Sequence, residues 1–209
     1  MEKPIINYET LIRLTKTIPK LRDPEAIVLV TTEGVTHTLK VKGCSLFLFS
    51  PMSEELRLAG SYGLSQEYLE KGPISSMRSI ASSLRDKQPV AVFDVSDDPR
   101  IQYQEAAVKE GISSMLSVPM IIGDKIIGCM RVYTSVPWEV TPDDLNFVQA
   151  VAQIVGMALE MCRITQGYRD SIEILKIMRD PRIFRPKKRT SYEGVPRRFP
   201  RQGNPPVGM

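Results

Sequence analysis

Residues 113–134, SSMLSVPMIIGDKIIGCMRVYT, constrain the fold more than any other stretch of this chain. Met115, Ser117 and Pro119 fall on one parity, and Leu116, Val118 and Met120 on the other. A repeat of two is the period of a β-strand. Gly123-Asp124-Lys125 interrupts it with residues that tolerate the backbone angles of a tight turn, so the stretch predicts a hairpin. The second strand, Ile126 to Thr134, alternates small or polar with larger apolar residues. A sheet with two unlike faces follows, one packed on helices and one turned toward something else.

The flanking elements read in order. Residues 5–18 place Ile5, Tyr8, Leu11, Ile12 and Thr15 on one helical face, and Pro19 ends the segment. Asp23-Pro24-Glu25 joins an N-cap, a first-turn proline and an early acid, predicting a second helix to about Lys40. Gly34, Thr31, Thr32 and Thr36 weaken the centre of that helix. Cys44–Ser50 reads as a buried strand, Pro51–Glu54 as a turn, and Leu56–Tyr62 as the partner strand. A short helix over 65–71 is stopped by Gly72-Pro73. A helix over Ile74–Asp86 is then suggested by the shared face of Ile74, Met77, Ile80, Ala81 and Leu84. Val90–Val95 predicts a third strand, Ser96–Pro99 a break, and Gln104–Glu110 a helix ended by Gly111.

Thr141-Pro142-Asp143-Asp144 starts the last helix, whose apolar face is Leu145, Val148, Val151, Ile154, Val155, Ala158, Leu159 and Cys162. The pattern resumes at Ile172, Leu175 and Met178, past Gly167. About thirty helical residues span on the order of 50 Å at ~1.5 Å each. A domain of this size cannot bury that length, so the surplus after Cys162 implies packing on another surface, most simply a second copy of the chain.

Composition narrows the class. A chain of 209 residues fits one domain of about 180 residues with an extension. Apolar runs are far shorter than the ~20 residues that cross a bilayer. The start, MEKPIINYETLIRL, carries Glu2 and Glu9 and lacks a secretory signal's apolar core, so a cytoplasmic protein is expected. Cys44, Cys129 and Cys162 are odd in number and widely spaced, which argues against a disulfide framework or zinc site. His37 is the only histidine, set among threonines on an early helix, and reads as a surface or satisfied residue. Charge is lopsided: the tail from Pro181 onward holds eight basic residues against Glu193, which leaves residues 1–180 slightly acidic. The expected organisation is a domain over 1–165, a helical extension over 166–180 and a basic, proline- and arginine-rich tail over 181–209.

The order of elements resembles the GAF domain, a small-molecule-sensing and dimerising module. The resemblance is carried by Gly43-Cys44-Ser45-Leu46-Phe47-Leu48-Phe49, Leu56-Arg57-Leu58 and Tyr62-Gly63-Leu64. It continues in Ser114-Met115-Leu116-Ser117-Val118-Pro119-Met120, Ile127-Gly128-Cys129-Met130-Arg131-Val132 and Thr141-Pro142-Asp143-Asp144-Leu145, and covers roughly residues 5–165. It implies an α+β fold: an antiparallel sheet of five or six strands, with N- and C-terminal helices on one face and a roofed pocket on the other.

The chemistries of that family are not all represented. The Asn-Lys-Phe-Asp-Glu type signature of cyclic-nucleotide-binding members is missing. So are the cysteine or histidine of chromophore-binding members and an axial haem histidine near the pocket. Ile80-Ala81-Ser82-Ser83-Leu84 stands where reductases of free methionine sulfoxide carry cysteines. With no glycine-rich phosphate loop, GxSxG or HExxH, a non-enzymatic module without a cofactor or metal is expected; an enzymatic reading would need a reactive Cys44 or Cys129.

If Leu116, Val118, Met120, Met130 and Val132 face the helices, alternation turns the opposite parity toward the pocket. Phe47, Phe49, Met115, Ser117, Cys129, Arg131 and Tyr133 lie on that parity, with Phe93 and Tyr103 as roof candidates. Apart from Cys129 these are the candidate ligand residues: aromatics, a hydroxyl and one guanidinium suit a small organic anion. Alternatively Arg131 reaches solvent or pairs with Asp94, and the aromatics fill the space. In the tail, Arg185, Lys187, Lys188, Arg189, Arg197 and Arg198 are candidates for docking on a partner protein. Nucleic acid is a less favoured target, and anionic lipid less still. Two functions result: a dimeric sensory or regulatory module signalling to a separate effector, or a structural subunit with a filled pocket, anchored by its tail.

Overall fold

The computed structural model describes residues 8–50, 55–72, 74–75, 84 and 86–179. The chain divides into two compact units, Met1–Gln166 and Gly167–Met209. The first unit is built on a six-stranded antiparallel sheet in the order β3-β2-β1-β6-β5-β4. Its strands are β1 (Gly43–Ser50), β2 (Glu55–Tyr62), β3 (Ile74–Ser75), β4 (Val90–Val92), β5 (Ser114–Ile122) and β6 (Lys125–Thr134). The α-helices described from end to end are α1 (Tyr8–Thr17), α2 (Pro24–Leu39), the short α3 (Gln66–Leu69) and α4 (Gln104–Lys109), and α5 (Pro142–Arg179).

The hairpin forms where the alternation places it. Gly123 has φ +56° while Asp124 keeps negative φ, the pattern of a type II′ turn with glycine at its first central position. β4 pairs only with Met115–Ser117. Among the described residues, Pro119 therefore lies where β5 pairs with β6 alone, a place that tolerates a missing N–H.

Helix ends follow their caps. Asp23 accepts from the N–H groups of Glu25 and Ala26 at 3.2 and 3.3 Å. Thr141 Oγ1 accepts from Asp144 N–H at 3.2 Å, and the Asp144 carboxylate accepts from Thr141 N–H at 3.0 Å, a reciprocal capping box. The threonines inside α2 are tolerated because their hydroxyls donate to carbonyls one turn back, as Thr31 does to Ile27 and Thr36 to Thr32, both at 2.7 Å.

One apolar cluster lies between the sheet and the terminal helices. It joins Cys44, Leu46, Leu116, Val118, Met120, Met130 and Val132 to Leu14, Ile27, Val35, Phe147, Val148, Val151 and Val155. Two smaller clusters lie on the opposite face, one around Tyr68, Met115 and Tyr133, the other around Phe47, Leu56 and Cys129.

Several expectations are corrected. The buried face of α1 is Leu14, with Leu11 packed beside it, whereas Tyr8, Ile12 and Thr15 are exposed. Ile74 and Ser75 form an edge strand paired to Leu56 and Glu55 and do not begin a helix; most of the remaining stretch to Asp86 lies outside the described residues. β4 ends at Val92, three residues early, because Asp94 accepts from Ser96 N–H and Oγ–H and bends the chain. Finally, α5 contains an 18-residue window of mean hydropathy 1.4, long and apolar enough to cross a bilayer by length and composition. The buried side of that window is taken up by the sheet through Val148, Val151, Ala152 and Val155.

In the second unit, residues 167–179 are helical. Ser171 Oγ donates to the Gly167 carbonyl at 2.8 Å, and Lys176 pairs with Glu173 at 3.5 Å.

Candidate functional site

The sheet face away from the long helices carries the opposite parity of β1, β5 and β6. At its centre Ser45, Arg131 and Ser117 lie side by side across the three strands. Two small hydroxyl residues flanking one long cation leave room for the guanidinium to lie along the sheet. Arg131 is 4% exposed, and its guanidinium carbon sits 5.2 Å from the centre of the Phe47 ring. Arg131 therefore does not reach solvent, and Asp94 is occupied at the surface with Ser96.

The other candidates separate. Met115, Arg131 and Tyr103 line a void of only ≈10 Å³, about the room one water needs. Tyr133 is buried beneath, its hydroxyl 2.8 Å from Ser45 Oγ and its ring edge-on to Tyr68 at 6.0 Å. Ser117 is buried beside Cys129. Phe47 lines a second cleft of ≈250 Å³ with Leu56, Leu69 and Ile74, and Phe49 packs half-buried nearby. Phe93 is 56% exposed and lies outside all of these spaces. The six tail residues from Arg185 to Arg198 lie outside the described residues.

The large space is one the periodicity argument missed: a cleft of ≈930 Å³ between α3, α4 and the loop before α4. Tyr68, Lys71, Gln102, Tyr103 and Glu110 shape it, and only Tyr103 was readable in advance. The signal for the others is weak because they sit on single-turn helices and loops that carry no hydrophobic repeat.

Its electrostatics are structured. Burial works against the Glu110 carboxylate, yet the Ser65 hydroxyl and N–H and the Lys42 ammonium, 3.5 Å away, hold its pKa below the usual range. Glu67 pairs with Lys109 at the rim. Lys71 donates to the Tyr68 carbonyl at 3.0 Å and lies 3.4 Å from the centre of the Tyr68 ring. Burial lowers its pKa to about 8, with Arg131 adding to the effect and Glu110 opposing it. Burial likewise pushes the Tyr68 hydroxyl up to about 12.

The Lys71 shift predicts a pH dependence. An unfolded lysine holds its proton to a pH of about 10.4, so from about 8 upward the unfolded chain binds a proton the folded chain has lost. Stability contributed by this site therefore rises with pH through that window. Lys71→Met is expected to melt above the wild type at neutral pH, with the gap narrowing between about pH 8 and 10.4. Calorimetry at a series of pH values checks this; a gap independent of pH would refute it.

Two of the three cysteines are poor nucleophiles. Cys44 and Cys129 are buried, and burial raises both thiols above their ordinary range. Cys162 is half-buried, with Sγ 3.6 Å from the Arg22 carbonyl.

A six-stranded antiparallel sheet with the terminal helices on one face and a cleft under short helices on the other defines a class. The GAF domain profile matches residues 23–159, and the chain belongs to the GAF domain family, a common sensory and regulatory module. No curated protein matches the chain at a significant level. Solved structures similar to it include the GAF domain of a phosphoenolpyruvate-protein phosphotransferase from Coxiella burnetii. That match has TM-score 0.70 and 16% identity, covering 76% of this chain and 95% of that one. The corresponding domain from Acinetobacter gives TM-score 0.66 and 17% identity, covering 76% of this chain and 96% of that one. A free methionine-R-sulfoxide reductase from Neisseria meningitidis gives TM-score 0.67 and 18% identity, covering 79% and 95%. At such identities the likeness is one of fold.

Proposed function

We propose that this GAF domain is a non-enzymatic, cytoplasmic sensory module that binds a small organic anion and reports it to a separate partner protein. The ≈930 Å³ cleft, with Tyr68, Lys71 and Tyr103 on its walls, is the observation that carries this reading. The absence of catalytic motifs from the sequence and the raised thiols of Cys44 and Cys129 favour binding over chemistry. Output passes through α5 as a homodimer. Met157, Met161, Ile164, Tyr168, Ile172 and Leu175 are all exposed and recur at spacings of three and four, the seam of a paired helix. The basic tail, through Arg185, Lys187, Lys188, Arg189, Arg197 and Arg198, docks on the partner.

A second reading has its own support. The void beside Met115 and Arg131 is nearly filled, as a structural subunit anchored by its tail would require. Native mass spectrometry of the full-length protein, purified gently from its own cells, separates the two. A small-molecule adduct on a dimer supports the sensor. A bare protein that co-purifies with a partner, and loses it when residues 181–209 are deleted, supports the subunit. A bare monomer overturns the sensory dimer.

A further inference from the structure

We infer that Lys71 and Arg131 together form the anion-reading end of the cleft, taking the carboxylate of a small carboxylic acid whose apolar body lies against Tyr68 and Tyr103. This deepens, and rests on, the ligand-binding reading above. Three observations lead to it.

The first is position. Lys71 lines the ≈930 Å³ cleft, the ≈250 Å³ cleft and the ≈10 Å³ void that Arg131 also lines, so it borders all three, with Tyr68, Gln102 and Tyr103 shared between the large cleft and the void. The second is size. The void at Arg131 holds about one water, which is room for one oxygen atom and none for a ligand body. A ligand must therefore sit in the large cleft and send only an oxygen toward the guanidinium. A planar carboxylate does this edge-on, with its second oxygen left for Lys71.

The third is charge. Of the carboxylates that line the cleft, Glu110 is compensated by Ser65 and Lys42 and Glu67 by Lys109, and Glu105 adds a third negative group. Lys71 and Arg131 line the same void, and the Arg131 charge adds to the burial that weakens Lys71's hold on its proton, while Glu110 opposes it. An ammonium has three donors, and Lys71 gives one to the Tyr68 carbonyl, which leaves donors for an incoming oxygen. Placing one negative charge there relieves the repulsion between the cations, so binding must draw a proton onto Lys71 and weaken with added salt.

The test uses the full chain and two probes with the same ring, benzoate and benzyl alcohol, followed by calorimetry and by the NMR signal of the Lys71 ammonium. Benzoate is expected to bind about tenfold or more tightly than benzyl alcohol, as a charge-assisted hydrogen bond warrants. It should also raise the pH at which Lys71 titrates. Lys71→Met should erase that preference, and Lys71→Arg should keep it. Equal binding of the two probes, or a benzoate preference that survives Lys71→Met, overturns the inference and leaves the cleft as a site for neutral ligands. No benzoate binding also overturns it, and the broader ligand reading is then decided separately by native mass spectrometry. The wild-type NMR titration needs no variant to fold, and an unmoved Lys71 in the presence of bound benzoate is equally fatal.

Discussion

Gly128→Ala is expected to lower stability by about 3 kcal/mol, the upper end of overpacking costs. The melting temperature should fall by about 10 °C for a chain of this size. Gly128 of β6 lies opposite Leu48 of β1. A Cβ built there would stand 2.0 Å from the Phe47 carbonyl oxygen and 2.8 Å from the Met120 terminal methyl. The methyl can swing aside, whereas the carbonyl belongs to a strand fixed by β2 on its far side. Relief requires β1 and β6 to separate, which would pull Phe47 away from Arg131. The variant should therefore lose binding at the cleft along with stability. Chemical denaturation with an unchanged slope and a lowered midpoint checks the expectation; wild-type stability would mean that the two strands do not approach this closely.

The second large effect distinguishes two neighbouring residues on α1. Leu14→Ala is expected to cost about 2–5 kcal/mol, the range for a buried leucine truncated to a cavity. Ile12→Ala is expected to stay within about 0.5 kcal/mol, as exposed substitutions do. Leu14 is 2% exposed and touches the backbone of α2 where Gly34 leaves space, its Cδ2 3.2 Å from where a Cβ would be. Ile12 is 52% exposed. The same denaturation curves, run on both variants, decide the matter. Equal losses would place both side chains in the core and undo the assignment of the packed face.

That pair also shows where sequence reasoning reaches its limit. Leu14 and Ile18 fit a helical period as well as Tyr8, Leu11, Ile12 and Thr15 do, and of that expected face only Leu11 packs against the core. Amphipathicity names a helix, but with apolar residues on two sides it does not say which side meets the sheet. On α5 the predicted residues Val148, Val151, Val155 and Leu159 are buried, but so are Phe147 and Ala152, which the periodicity left off that face. Ile74 was misread for a related reason. The three-and-four spacing that begins there fits a helix, while the two residues that start it were recruited to the open edge of β2.

The candidate site divides along the same line. Arg131, Met115 and Tyr133 were placed on the correct face by alternation, because a strand turns each successive side chain to the opposite side. Phe93 was not, since Asp94 and Ser96 bend the chain one residue after the strand ends and leave the ring at the surface. Lys71 escaped notice altogether. Its depressed proton affinity arises from burial and from a guanidinium sixty residues away in sequence, and neither is written in the few residues around it.

Local rules of turn, cap and alternation were enough to place the strands of the central hairpin and the starts of α2 and α5. Those features depend on interactions within a few residues of one another. The depth of Arg131, the narrowness of the void beside it, the separate cleft beneath α4 and the placing of Lys71 on the same void as Arg131 came only from tertiary structure. Burial and charge proximity are properties of what the folded chain brings together from distant segments, and no local pattern encodes them.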